Sequence, residues 1–252
     1  MRKSRLHCAS GKGGKMKDTE QFSCEQCTGK YCARKAPIFS VLDDEQLTDV
    51  MSKILRRRYK KGQVIFFEGD VSDKFYIINS GKIKIYKYNK EGKEQILYIL
   101  SDGDFIGYLN LLKKTKVDFN AEALEDVSVC ILTKDDFDKL VRKTPEISLR
   151  ILENLHDRLV SLENLVQTLS TKDIEARIAG LLRGFVNDFG REEREGIVID
   201  LPLSREEMAN YIGVTRETMS RKLTAMEEEG VIELVGNRKI VIKDIGVLED
   251  KA

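Results

Sequence analysis

Three cysteines lie close together in the segment CEQCTGKYC, which starts at Cys24. Cys24 and Cys27 form a CxxC pair and Cys32 follows after four residues, whereas the whole chain of 252 residues contains five cysteines. A fourth thiol, Cys130, lies in the apolar run VSVCILT, and Cys8 stands outside the cluster spacing. Four thiolates can hold an iron–sulfur cluster or zinc, and a close cysteine pair can cycle between dithiol and disulfide. The cysteines therefore predict a metal centre or a redox switch.

Hydropathy and charge restrict the class of protein. Hydrophobic residues make up 41% of the chain, enough for a buried core in each of two modest domains, and no apolar run approaches the length that spans a bilayer. The first residues, MRKSRLHCAS, lack the apolar centre of a signal peptide, so we expect a cytoplasmic protein with reduced thiols and no membrane partner. The net charge is +1, so any contact with nucleic acid must come from local clusters of Lys and Arg.

The residue pattern divides the chain into four predicted parts. The first part carries nine basic against three acidic residues and has little apolar content. In order, the parts are a basic tail with the cysteine segment over 1–35, a sensor β-roll over 36–144, a dimerisation helix over 145–170 and a winged helix-turn-helix over 171–252.

The sensor segment opens with a short amphipathic helix, predicted from Leu42 to Leu55 and capped by Asp43 or Asp44. Strand-like runs follow, with glycines between several of them: VIFFEGD, KFYIINSG, KIKIYKYN, EQILYIL, FNAEAL and VSVCILT. Because no helix intervenes, we predict an antiparallel β-roll and an α+β fold class for the chain. The strict alternation of KIKIYKY predicts a strand with one buried face and one face in water.

A heptad seam follows the roll. Its residues step by three and four, the spacing of a coiled coil: Leu152, Leu155, Leu159, Leu162, Val166 and Leu169. Such a seam needs a partner helix, and we therefore predict a parallel homodimer. The alternative is an amphipathic helix that packs only on its own roll.

The C-terminal segment has the pattern of a winged helix-turn-helix. Ser204 and Glu207 form a capping box at the start of one short helix, Gly213 marks the turn, and Thr215 caps a second helix. The segment VIELVGNRKIVI then predicts a hairpin. In this arrangement the second helix enters the major groove of double-stranded DNA.

The predicted recognition helix carries side chains that suit DNA. Four of them, in its first two turns, can donate to or accept from base edges: Arg216, Glu217, Ser220 and Arg221. Three more are placed to contact phosphates: Lys222, Arg238 and Lys239.

The order of cysteine segment, glycine-punctuated roll, heptad helix and TRETMSR motif resembles the cyclic AMP receptor and FNR family of bacterial transcription factors. DFIGYLNLL also resembles the loop that follows the roll strands in that family. The resemblance covers nearly all of the chain after residue 20 and implies a dimer that binds DNA and meets RNA polymerase. Glu217, Ser220 and Arg221 match the pattern that is implied to recognise TTGAT half-sites in the FNR branch, while Arg216, Glu217 and Arg221 also match the receptor branch.

The same resemblance implies an oxygen-labile [4Fe-4S] cluster with four ligands: Cys24, Cys27, Cys32 and Cys130. The best-known members leave five residues between their second and third cysteines, and this chain leaves four. A dithiol switch without metal and a structural zinc site therefore stay open as alternatives.

Two other functions are disfavoured. A cyclic nucleotide needs a carboxylate for its ribose and an Arg with a small hydroxyl residue for its phosphate, but this chain has Tyr108, Asp118 and Phe119 at those places. Since an Asp repels a phosphate, a receptor-like sensor of a small ligand is the weaker alternative. The two histidines, His7 and His156, form no hydrolase arrangement, so no enzyme is expected.

Overall fold

The computed structural model describes residues 21–23, 36–107 and 116–251, the first range by its backbone. The α-helices of these ranges, preceded by a short 3₁₀ helix at Pro37–Phe39, are α1 (Asp44–Lys53), α2 (Lys134–Lys143), α3 (Glu146–Ser170), α4 (Ile174–Phe189), α5 (Arg205–Ile212), α6 (Arg216–Glu228) and α7 (Ile245–Lys251). The strands are β1 (Gln21–Ser23), β2 (Leu55–Tyr59), β3 (Val64–Phe66), β4 (Lys74–Ser80), β5 (Ile83–Tyr88), β6 (Glu94–Leu100), β7 (Phe105–Ile106), β8 (Asn120–Ala123), β9 (Val127–Thr133), β10 (Gly190–Glu193), β11 (Gly196–Asp200), β12 (Ile232–Val235) and β13 (Lys239–Ile242).

Two antiparallel sheets build the N-terminal roll. One has the strand order β1-β2-β9-β4-β7 and the other the order β3-β8-β5-β6. Their inward side chains form one apolar cluster, which includes Tyr59, Phe66, Tyr76, Ile78, Ile83, Ile85, Leu100, Ile106, Val129 and Ile131. The antiparallel roll and the α+β fold class predicted from the sequence are confirmed.

The start of the roll differs from the prediction. Helix α1 begins with a capping box of Asp43 and Gln46 and ends at Lys53, two residues before the predicted end at Leu55. Residues Leu55–Tyr59 form strand β2, which was not predicted. The run LRRRY has no apolar alternation, so its sequence does not indicate a strand. Pairing with β1 on one side and β9 on the other stabilises it there.

The prediction that β5 has one face in water is wrong. Ile83 and Ile85 point into the roll as expected, but Lys84 and Tyr86 on the opposite face are only 5% and 3% exposed. Tyr86 belongs to the apolar cluster of the C-terminal domain, which covers this face of the sheet. Alternation defines the two faces of a strand, but it cannot show that a second domain packs on the polar one.

Helix α3 packs on its own roll and leaves half of the predicted seam exposed, whereas the other half is partly buried: Leu155, Leu162 and Leu169. Its buried residues include Ile147 and Ile151, which join the cluster beneath the roll sheet. Leu152, Leu159 and Val166, each seven residues apart, are 59%, 56% and 64% exposed. An exposed apolar row with heptad spacing is typical of a helix that pairs with another, so the packing on the roll does not replace the predicted partner.

The C-terminal domain has the predicted helix order. Ser204 and Glu207 cap α5 reciprocally, Gly213 adopts the left-handed conformation (φ 70°) at the turn, and the Thr215 hydroxyl accepts from the Thr218 amide at 3.2 Å. Strands β12 and β13 form the predicted hairpin. The sequence did not indicate β10 and β11, which extend the hairpin into a sheet of order β10-β11-β13-β12.

We expect Leu159→Lys to separate the dimer without unfolding the chain, because this side chain is already exposed in the single chain. Two copies of Leu159 meet in a parallel pair, so roughly 3 kcal/mol is lost, on the order of 100-fold in the dimer dissociation constant. Sedimentation velocity measures the change. Val160→Lys, one residue off the seam and also exposed, is the control and should stay dimeric; equal behaviour of the two variants would contradict the seam.

Candidate functional site

The recognition helix α6 has a clear inner and outer face. Met219, Leu223 and Met226 are fully buried in the domain core. The four residues predicted to meet base edges are all exposed on the other side: Arg216, Glu217, Ser220 and Arg221. Because residues three and four apart share a helix face, Glu217, Ser220 and Arg221 form one continuous polar surface.

Thr224 belongs to the same surface and was not singled out from the sequence. It is exposed, and it lies four residues after Ser220 and three after Arg221. The rule that residues three and four apart share a helix face would have added Thr224 to the predicted base-contacting surface. Its hydroxyl extends the hydrogen-bonding surface by one helical turn.

Lys222, predicted to contact a phosphate, is tied to another helix. Its Nζ lies 3.0 Å from Glu175 Oε2, and Lys251 contacts the other oxygen of the same carboxylate. Hydrogen bonds from these two lysines hold the pKa of Glu175 below its usual value. A DNA phosphate would therefore compete with Glu175 for Lys222. The phosphate role of Lys222 stays a prediction.

The two other predicted phosphate contacts lie at the hairpin. Arg238 is exposed beside the turn, where Gly236 has a φ of 63°. Lys239 begins β13 and is half-buried. The hairpin thus presents two cations at its turn, and their contact with phosphates stays a prediction.

The Cys130 thiol lies in the middle of the roll's five-stranded sheet. In β9, Cys130 pairs with Arg56 of β2 on one side and with Ile77 of β4 on the other, and it is 4% exposed. It packs in the same apolar cluster as Ile151 of α3. Residues that pair directly across antiparallel strands share a sheet face, so Arg56 and Cys130 lie on the same side.

Strand β1 lies at the edge of this sheet and directly precedes the cysteine segment in the sequence. In the register of β1 with β2, Phe22 pairs with Arg56, which pairs in turn with Cys130. The strand ends at Ser23, and Cys24 is the next residue of the chain. The sequence did not indicate β1.

The remaining predicted ligands lie outside the described residues: Cys24, Cys27 and Cys32. Among the residues that are described, no group of three or more His, Cys, Asp or Glu side chains could hold a metal ion. The ligand set is therefore untested and stays a prediction.

The interior of the roll is filled by apolar side chains where it is described. The Phe119 ring packs 5.5 Å from that of Phe66, and Asp118 is exposed with a carboxylate oxygen 3.5 Å from Lys87 Nζ. Tyr108 lies outside the described ranges. The expectation that no cyclic nucleotide binds here stays a prediction.

In the described ranges no helix is both long enough and apolar enough to cross a bilayer.

Comparison with known proteins shows the family. Residues 56–144 match the cyclic nucleotide-binding domain and residues 176–251 match the Crp-like helix-turn-helix domain. The transcriptional activator protein FnrL of Cereibacter sphaeroides is 30% identical to this chain over 91% of each. The anaerobic regulatory protein of Haemophilus influenzae is 31% identical over 82% of this chain and 80% of its own.

Solved structures show the same fold. A CooA mutant from Carboxydothermus hydrogenoformans superposes with a TM-score of 0.74 at 25% identity, covering 88% of this chain and 97% of its own. FixK2 from Bradyrhizobium japonicum superposes with a TM-score of 0.68 at 24% identity, covering 77% and 95%, which supports the fold alone. Regulators of this family bind DNA and act as dimers. The chain is therefore a member of the Crp/Fnr family of DNA-binding transcription regulators and is not an enzyme.

Proposed function

We propose that this regulator is redox-responsive: it holds a [4Fe-4S] cluster on four cysteines and binds TTGAT-like palindromes as a cytoplasmic homodimer. The ligands are Cys24, Cys27, Cys32 and Cys130. The observation that carries the proposal is the position of Cys130, buried on the sheet face that packs against α3, two strands away from the end of β1.

The donor set fits such a cluster. Neighbouring strands lie about 4.8 Å apart, so the backbone of β1 runs roughly 10 Å from β9, with Cys24 next in the chain. Thiolate sulfur is the preferred donor for iron–sulfur clusters. When bound, the cluster would supply an oxygen-labile link between the N-terminal segment and β9.

The path from Cys130 to the dimer helix is short. Cys130 shares an apolar cluster with Ile147 and Ile151 of α3, and Leu155, one of the predicted seam residues, packs against the same cluster. A shift in the position of β9 therefore changes the packing of α3, and the exposed seam residues lie on that same helix. Packed cores transmit such shifts because they are nearly incompressible.

Names of relatives support the redox function. FnrL, an electron transport regulator of Shewanella oneidensis and an anaerobic regulatory protein are all similar to this chain. Zinc or a metal-free dithiol would use the same cysteines, so the metal itself is the discriminating measurement. RNA polymerase is a further expected partner of the DNA-bound dimer.

We expect Cys130→Ala to lose iron and sulfide that the anaerobically purified wild-type protein retains, because one of four ligands is gone. Iron, acid-labile sulfide and zinc are measured in anaerobic and aerobic preparations. Cys8→Ala, outside the cluster spacing, is the control and should keep the cluster. Zinc in both wild-type preparations, or a cysteine crosslink in air with no metal, would overturn the cluster in favour of the respective alternative.

We expect Arg221→Ala to weaken binding to a TTGAT palindrome by about 1–3 kcal/mol and to relax specificity at one base pair, since a base-edge contact is lost. Fluorescence anisotropy on the palindrome and on single-base variants measures this. Glu228→Ala, exposed on the last turn of the same helix, is the control. An equal loss on all DNA sequences would show that Arg221 contacts phosphate instead of a base.

Arg238→Ala should act differently, because it is predicted to contact a phosphate. Affinity should fall by a similar factor on all sequences, and the slope of log affinity against log salt should decrease by about one. A sequence-dependent loss would contradict this role.

A further inference from the structure

Lys84 is a buried charge on the outer face of the roll. Its side chain is 6% exposed, although it lies on the face of β5 that points away from the roll interior. Removing an ammonium group from water is costly unless ionic partners compensate. Another domain can therefore cover this face only if acidic partners compensate the charge of Lys84.

Three carboxylates surround Lys84. Glu94 of β6 accepts from its Nζ through both oxygens, at 2.9 and 3.0 Å, and Glu122, directly opposite on β8, lies 3.7 Å away. The third, Glu207 of α5, lies 3.6 Å away and belongs to the DNA-binding domain. One cation is thus shared between the sensor roll and the first helix of the helix-turn-helix.

Apolar and hydrogen-bonded contacts join the two domains beside this cluster. Tyr86 and Ile96 of the roll share an apolar core with residues of α5, among them Met208 and Ile212. Close by, the Gln95 side-chain amide donates to the main-chain oxygen of Tyr211 at 3.0 Å. Ionic attraction is stronger in such a partly buried setting than at the open surface.

We propose that Lys84 couples the sensor roll to the DNA-binding domain, by holding Glu207 and with it α5 and the recognition helix α6 in a fixed position on the roll. The proposal rests on the function proposed above, because it names how a signal in the roll reaches the DNA. The connection to α6 is direct, since α5 and α6 are joined by the tight turn at Gly213 and share the domain core.

The charge balance makes Lys84 decisive. Without its ammonium group three carboxylates would face one another, and the domain that can move away is the one that carries Glu207. Burial and the neighbouring carboxylates raise the pKa of Glu122. Burial also acts to raise the pKa of Glu207, but hydrogen bonds from Ser204 and the charges of Lys84 and Arg238 outweigh it and lower that pKa. Lys84 is therefore the cation that offsets the repulsion on the roll side.

The test uses Lys84→Met and Glu207→Gln in the full-length dimer. Gln keeps the capping box of α5, so Glu207→Gln removes the charge alone and leaves Lys84 paired with Glu94 and Glu122. Lys87→Met is the matched control, because Lys87 lies on the same strand and pairs with Asp118 of the roll. Circular dichroism verifies folding; if Lys84→Met is unfolded, Glu207→Gln decides alone.

Hydrogen exchange is the first readout, and it does not depend on any metal. Amides of α5 and of β5 should exchange about tenfold faster in both variants than in the wild type or in Lys87→Met, because the domain contact opens more often. Unchanged exchange in α5 would overturn the proposal. In the double variant the effect should be less than the product of the two single effects, since the residues share one interaction.

DNA affinity with and without the metal is the second readout. In the wild type the two affinities should differ, and in Lys84→Met and Glu207→Gln their ratio should move toward one. If the wild-type protein binds DNA equally well with and without the metal, the proposed redox function is wrong. The hydrogen-exchange measurement then decides alone whether Lys84 holds the two domains together. If both variants keep the same ratio of metal-bound to metal-free DNA affinity as the wild type, the signal does not pass through Lys84.

Discussion

The central strand β9 is the constraint on which the N-terminal half depends. It lies between β2 and β4, and six of its seven residues are buried. Val129 and Ile131 face the interior of the roll, while Cys130 and Leu132 face the cluster formed with the helices. A strand buried on both faces belongs to two cores at once, so any change in its position alters the packing of both the roll interior and α3.

The outer face of the second roll sheet is the other organising surface. Tyr86 and Ile96 give it an apolar part that the DNA-binding domain covers, and Lys84 gives it a charge that Glu207 helps to neutralise. Apolar burial supplies most of the attraction and is not directional, whereas the ion pairs specify one orientation. Strand β9 thus links the roll to α3, and β5 links the roll to the DNA-binding domain.

Local signals predicted the C-terminal domain well. The capping box of Ser204 and Glu207, the turn at Gly213 and the cap at Thr215 each satisfy a helix end within a few residues, so their physics is contained in the local sequence. The antiparallel roll and the uncovered seam of α3 were also predicted from periodicity. Strand β2 was missed, because LRRRY has no pattern of its own and depends on pairing with both of its neighbours.

By itself, the sequence determined the helix caps of the C-terminal domain and the face of α6 that meets solvent, because these depend on neighbours within one or two turns. Tertiary structure alone decided that Arg56 and Cys130 lie side by side and that Lys84 is buried against Glu207. Both facts join residues more than seventy positions apart. Only strand register and domain packing create such contacts, and neither leaves a periodic trace in the chain.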